Sequence, residues 1–281
     1  MRKLSILLVF HLVTLANISN AQSSTPSQSQ QKDTARFELI KSIPGNFSYF
    51  NTDLFNNIYA VDYKNQLKKI NENGDSIASY NDVKRFGTLS SIDASNPFKL
   101  LLFYKDYRYI VTLDQLLTFR NSISLRSKDF FNVKAVATSY DNNYWIFDER
   151  DFKLKKIDDA GQVISESGDL RMITEEVPSP QTIIESDNQL YLYDENKGVY
   201  IFDYYGSMKN KIPFLKWENV SVYNNKLIGF DRDTLYSYEF SSLNLQEYLL
   251  PKFITGYKSI KLSGNRLFVL KEEGIFIYQI Q

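Results

Sequence analysis

Two residue types are all but missing from this 281-residue chain: it has no cysteine, and its one histidine is His11. The first absence removes disulfides, thiolate nucleophiles and thiolate metal sites. The second removes histidine-assisted serine or cysteine triads and imidazole ligands from everything after residue 11. Excess charge of one sign is missing too. Lys plus Arg and Asp plus Glu both number 33, and no basic stripe interrupts the mixture, so a nucleic-acid partner is excluded as an expectation. Tyr and Phe, by contrast, number 20 each, a composition suited to strands that press a side chain against a sheet on either side.

The first residues read as an export signal. Arg2 and Lys3 precede an apolar stretch over residues 4–15, broken by Ser5, His11 and Thr14, and Ser19-Asn20-Ala21 ends in the small-residue pattern that signal peptidase accepts. The stretch is shorter than the roughly 20 apolar residues of a membrane span, and no cysteine follows it to carry a lipid. Residues 1–21 are therefore expected to be a cleavable signal peptide, and the chain to be periplasmic, with the cell surface or secretion as alternatives. With Gln22 directly after Ala21, the cleavage site resembles those of the Bacteroidetes lineage. Residues 22–35 form a Gln/Ser-rich tract without a large apolar residue, which reads as a disordered linker because it cannot bury enough surface to offset ordering. Residues 36–281 carry no second linker and read as one domain.

Within that domain one phrase recurs six times: a turn of Asn, Asp or Gly followed by an aliphatic–aromatic run. It starts at Asn56, Asn96, Asp141, Asp187, Asn224 and Gly264, at spacings of 37 to 46 residues, the length of a four-stranded propeller blade. The third copy shows the unit most clearly. An apolar–polar run over 133–139 predicts an inner strand, Asp141-Asn142-Asn143 a tight turn, and 144–148 a second strand. Glu149-Arg150-Asp151 then turns into a third strand at 152–157, and Asp158-Asp159-Ala160-Gly161 into an outer strand at 162–165. The sixth copy stops after its third strand at 274–280. A strand without a blade of its own, 36–43, stands at the other end of the domain. Placing it as the missing outer strand closes the ring and removes an exposed edge. The expectation is an all-β, six-bladed β-propeller of four-stranded antiparallel blades, the last closed by the N-terminal strand.

These turns and strands, with Asn73-Gly74, Ala160-Gly161 and Tyr205-Gly206 as later turns, resemble six-bladed propellers of the NHL and TolB-like type. That resemblance implies the architecture and leaves activity open, since the fold hosts unrelated functions. A general similarity to exported Bacteroidetes propellers also implies a setting: an accessory, plug-type subunit of the type IX secretion translocon.

Candidate sites lie in the turns between second and third strands, on the face where propellers bind. They supply Tyr63 and Lys64; Tyr104, Lys105, Tyr107 and Arg108; Glu149 and Arg150; Glu195 and Lys197; Arg232; and Glu272. A Tyr/Arg-rich recognition surface and ordinary solvated turns both account for them. The loop over 167–181, with Glu175-Glu176 and Pro178-Ser179-Pro180, is either a binding loop or a rigid crossover, and Trp217 reads as packing between blades. Asp231-Arg232-Asp233 and Asp148 with Asp151 lack the Asp-x-Asp-x-Asp-Gly form of a calcium loop, so no metal, cofactor or catalytic residue is assigned. The expected function is a non-enzymatic interaction module that docks a protein partner, an envelope or outer-membrane complex. The alternative is a metal-dependent lactonase-like hydrolase or a carbohydrate-active propeller using carboxylates of the central channel.

Overall fold

A computed structural model describes residues 36–281; the expected signal peptide and linker lie outside the described residues. The first strand, β1 (Phe37–Pro44), belongs to the last blade. Blade 1 is β2 (Phe47–Thr52), β3 (Ile58–Asp62), β4 (Leu67–Ile70) and β5 (Ser76–Tyr80). Blade 2 is β6 (Ser91–Asp93), β7 (Leu100–Tyr104), β8 (Tyr109–Leu113) and β9 (Phe119–Ser124). Blade 3 is β10 (Val133–Thr138), β11 (Tyr144–Asp148), β12 (Lys153–Ile157) and β13 (Val163–Glu166). Blade 4 is β14 (Thr182–Ser186), β15 (Gln189–Asp194), β16 (Gly198–Asp203) and β17 (Met208–Ile212). Blade 5 is β18 (Glu218–Tyr223), β19 (Lys226–Asp231), β20 (Thr234–Glu239) and β21 (Asn244–Leu249). Blade 6 has the order β22 (Ser259–Ser263), β23 (Arg266–Lys271), β24 (Gly274–Ile280), β1. The expected six-bladed ring is what forms.

The repeated phrase is the second strand of each blade, and the packing explains why it is a continuous apolar run. Successive side chains of a strand point to opposite faces, and both faces of a blade are covered. In β11, Tyr144 and Ile146 pack toward blade 2 while Trp145 and Phe147 pack toward blade 4. In β23, Leu267 and Val269 face blade 5 while Phe268 and Leu270 face blade 1. The described residues thus hold six apolar slabs, one at each blade junction. In blades 2, 3 and 4 the third-to-fourth-strand turn is fixed by an aspartate at the strand end. Asp158 accepts the N–H groups of Ala160 (2.9 Å) and Gln162 (2.8 Å), and Asp203 those of Tyr205 and Ser207 (both 2.9 Å). This is the Asx turn that Asp and Asn favour.

Closure joins the two ends of the domain. Antiparallel pairing of β1 with β24 runs from Phe37 opposite Ile280 to Pro44 opposite Gly274, with an irregularity between Leu39 and Lys41. Ile43 reaches from β1 into the slab between blades 6 and 1. Gly274 makes the close approach: it has φ +145°, and a Cβ there would stand 2.1 Å from the Ile43 carbonyl oxygen. Gly256 offers a control, having φ +73° with open space around it. Gly256→Ala should lower unfolding free energy by about 1 kcal/mol from backbone strain alone. Gly274→Ala should cost about 3 kcal/mol, because closure must also shift to relieve the overlap. Denaturant unfolding of the two variants beside the wild type checks this, and equal losses would mean that the junction yields freely.

Candidate functional site

Antiparallel blades put first-to-second and third-to-fourth strand turns on one face of the ring. Second-to-third strand turns and blade-to-blade crossovers lie on the other. The predicted candidates belong to the crossover face, and the structure sorts them. Tyr104 is 4% exposed, so it offers no surface to a partner. As the last residue of β7 it points into the slab between blades 1 and 2, its ring 5.5 Å from Phe86, and burial raises its hydroxyl pKa. The other residues of that turn remain outside: Lys105 and Tyr107 are exposed, and Arg108 sits half-buried at φ +59°.

Several of the remaining candidates serve the crossovers beside them. Glu149 pairs with Lys134 at 3.1 Å and accepts from the Asn132 amide at 3.0 Å and from the Ser179 hydroxyl. Lys197 donates to the Val177 carbonyl at 2.5 Å, and the Arg150 guanidinium lies 4.9 Å over the Phe131 ring. Lys64 and Arg232 are exposed; the latter's nearest carboxylate partner is Asp231 at 3.6 Å. The acids that open these turns are structural. Asp62, Asp148 and Asp194 accept the backbone N–H of Lys64 (2.8 Å), Arg150 (3.0 Å) and Asn196 (2.9 Å) in their own turns. The 167–181 loop behaves as a crossover, pinned through Ser179 N–H to Asp194 (2.8 Å) and through the Glu176 carbonyl to the Tyr200 hydroxyl (2.8 Å).

Tyr63, Glu195 and Glu272 are brought to one place. A cavity of about 400 Å³ opens on the crossover face where the inner strands of blades 1, 4, 5 and 6 begin. Lys258 on its wall donates to the Tyr63 hydroxyl (2.9 Å) and to the Glu272 carboxylate (2.6 Å), while Glu195 stands on the wall from blade 4. Trp217 packs at the junction of blades 4 and 5, as expected, and also lines this cavity. Its backbone N–H donates to the Tyr193 hydroxyl at 2.6 Å, and its ring stacks on Phe214 (4.4 Å) and Tyr236 (4.9 Å). Gly229 makes the room, since a Cβ there would stand 2.5 Å from that ring.

On the opposite face lies a second cavity of about 400 Å³, around the first-to-second strand turns of blades 1 to 3. Leu54, Phe55, Phe98 and Tyr140 border it and are 63%, 51%, 64% and 70% exposed. Phe55 and Phe98 meet edge to face at 6.2 Å, and Tyr140 stacks on Tyr204 at 5.1 Å. Charges beside them are engaged: Glu185 accepts from Tyr140 N–H (2.7 Å) and the Trp145 indole (2.5 Å), and Lys99 pairs with Asp159 (2.8 Å). The Thr138 hydroxyl on its floor is buried with no hydrogen-bond partner. None of these residues was singled out from the sequence. Leu54-Phe55, Phe98 and Tyr140 each stand beside a recurring Asn/Asp turn, and a large apolar residue in such a turn is the signal that was available.

Between the two mouths, inner strands are linked by polar side chains. Lys261 donates to the Asn51 side-chain oxygen and, at 3.3 Å, to the Thr52 carbonyl; Asn51 donates to the Ile92 carbonyl at 2.6 Å. Asp93 accepts from Thr138 N–H at 2.6 Å. Among the described residues no group of three or more His, Cys, Asp or Glu side chains converges to hold a metal ion.

No protein-family model matches the chain, and no curated protein does either. Solved structures do match. A catalytically inactive histidine-to-alanine variant of virginiamycin B lyase from Staphylococcus aureus, in complex with quinupristin, superposes with a TM-score of 0.59 at 12% identity, over 88% of this chain and 99% of that one. A gluconolactonase from Xanthomonas campestris gives 0.59 at 11%, over 88% and 90%. A Bacteroides fragilis protein described as exported gives 0.59 at 10%, over 88% and 94%. At such identities the likeness is one of fold: the chain is a six-bladed β-propeller.

Burial lowers the Lys261 pKa to about 8, against an ordinary 10.5, with the charges of Asp93 and Asp53 opposing the shift. Because the folded chain gives up this proton first, the unfolded chain binds more protons between those two values, and stability should rise with pH from about 8 toward 10.5. NMR titration of the lysine ε-methylenes should show one group near pH 8 that disappears in Lys261→Met. A full set titrating near 10.5 would mean that the ammonium is solvated.

Proposed function

We propose that this chain is a non-catalytic recognition module that docks a protein partner of the cell envelope through its first-to-second strand turn face. The observation that carries this reading is the contiguous apolar surface of Leu54, Phe55, Phe98 and Tyr140, contributed by three successive blades and more than half exposed. Aromatic anchors around a shallow pocket form the kind of surface that carries binding energy, and the charges beside it are already held, Lys99 by Asp159 and Glu185 by the Tyr140 and Trp145 N–H groups. The expected export signal supports an envelope setting, and a subunit beside an outer-membrane translocon is one such setting.

Two features support a role without catalysis. The neighbouring lyase loses activity when one histidine becomes alanine, and this chain has no histidine after residue 11. Two inner-strand carboxylates, Asp93 and Glu185, are occupied by backbone and indole N–H groups.

Crosslinking and affinity capture from native membranes test the proposal. The wild type should bring down a partner in constant ratio. Phe55→Ser with Phe98→Ser and Tyr140→Ser should reduce recovery at least tenfold with thermal unfolding unchanged, since truncating interface anchors typically costs about 2 kcal/mol each. Tyr107→Ser with Arg232→Ala, on the other face, should leave recovery intact. A chain that comes away alone, or a partner that survives the triple substitution, would overturn the reading.

A further inference from the structure

Blade 2 carries a charge imbalance that the partner-docking surface does not use. Four segments meet beside it: the blade 1 turn at 62–64, the crossover helix α1 (Val83–Phe86), the blade 2 turn at 105–108 and the start of the next crossover at 126–129. Contacts run from each to the next. The Asn81 amide donates to the Lys64 carbonyl at 3.4 Å, Lys105 N–H to the Ser90 hydroxyl at 3.0 Å, and Leu125 N–H to the Arg108 carbonyl at 2.8 Å. The Tyr107 ring lies against Gly87, just past α1, where a Cβ would stand 3.0 Å from it.

These segments hold seven cations and four carboxylates, in a chain whose opposite charges balance at 33 each. Lys64, Lys84, Lys105, Arg108, Arg126 and Lys128 have neither an ion pair nor a side-chain hydrogen bond among the described residues. The seventh, Arg85, lies over the rings of Phe86 (4.6 Å) and Phe119 (5.1 Å). Of the carboxylates, Asp62 accepts the N–H groups of Lys64 (2.8 Å) and Gln66 (3.0 Å), Asp82 accepts from the Tyr80 hydroxyl (3.5 Å), and Asp106 and Asp129 are exposed. Blade 3 next door differs, since Lys134, Lys153 and Lys155 are each paired with a carboxylate. Among the free cations stand Tyr63 and Tyr107, both 58% exposed, and Val83 at 37%.

We infer that this sector lays the chain against an anionic phospholipid bilayer. Cations spread over four segments, without a common partner, suit many phosphates distributed across a surface. Tyrosine and long lysine and arginine stems suit the headgroup layer, where an apolar body and a polar tip are both solvated. The surface of Leu54, Phe55, Phe98 and Tyr140 lies on the opposite face of the ring, so bilayer and protein partner can be held at once.

Sedimentation of the purified chain with vesicles tests this, using phosphatidylcholine alone and phosphatidylcholine mixed with phosphatidylglycerol. Only the mixed vesicles should carry the chain down, and raising salt from about 0.05 M to about 0.5 M should release it. Lys84→Gln with Lys105→Gln and Arg126→Gln should lower the partition coefficient at least about tenfold. All three side chains are exposed and unpartnered, so thermal unfolding should be unchanged. Phe55→Ser with Phe98→Ser and Tyr140→Ser should leave vesicle binding intact, which separates this result from partner docking. Equal sedimentation with neutral and anionic vesicles, sedimentation with neither, or binding indifferent to the three charge substitutions would each overturn the inference.

Discussion

A ring of sheets stays buried only while every sheet has a neighbour on both sides, so the pairing of β1 with β24 governs the rest of the structure. Those strands come from opposite ends of the domain. Without their pairing, β24 is an open edge, Ile43 leaves the slab between blades 6 and 1, and two apolar faces meet water. Each other junction is a contact between sequence neighbours and forms locally. The last one closes a loop of nearly the whole domain, and loop closure is entropically the most demanding contact for a chain to make. A glycine at the end of that pairing, with the Ile43 carbonyl where a Cβ would be, shows how little slack the junction has.

Near the axis the blades are tied a second time. Lys261 joins blade 6 to blade 1, Asn51 joins blade 1 to 2, Asp93 blade 2 to 3, and Glu185 blade 3 to 4. Tyr193 with Trp217 joins blade 4 to 5, and Ser259 with Asn219 joins blade 5 to 6. Apolar slabs are non-directional and would allow one blade to slide on another, whereas hydrogen bonds across each junction set the register. They also engage Asn51, Asp93, Glu185 and Lys261 of the inner strands. What remains for recognition is gathered at the two mouths, one apolar and one acidic and aromatic, and at the cations beside blade 2.

Much of this was legible in the residues. Blade number, the order of strands within a blade and the fate of the strand at 36–43 all follow from counting turns and runs, because hairpins between neighbours are local. Trp217 was readable as inter-blade packing for the same reason. The binding surfaces were less legible. Tyr104 sits in a stretch that looks like a tyrosine-rich turn, yet one more residue of strand carries it into the core. The charged turns drew attention for their charge, but their aspartates hold their own backbone and Glu149 and Lys197 hold crossovers. Asn51, Asp93, Glu185 and Lys261 each interrupt an inner-strand apolar run, a pattern visible in the sequence but silent about what they bind.

The sequence by itself determined the all-β ring, its six blades and the exclusion of histidine and thiol chemistry after residue 11, since these rest on composition and on contacts between residues close along the chain. Tertiary structure alone decided which face carries the apolar surface and which the acidic cavity. Leu54, Phe98 and Tyr140 become one surface, and Glu195 and Glu218 share one cavity, only because separate blades are packed side by side around an axis. Leu54, Phe98 and Tyr140, more than forty positions apart in turn, and Glu195 and Glu218, 23 apart, meet there through the geometry of the ring, and no local pattern encodes that meeting.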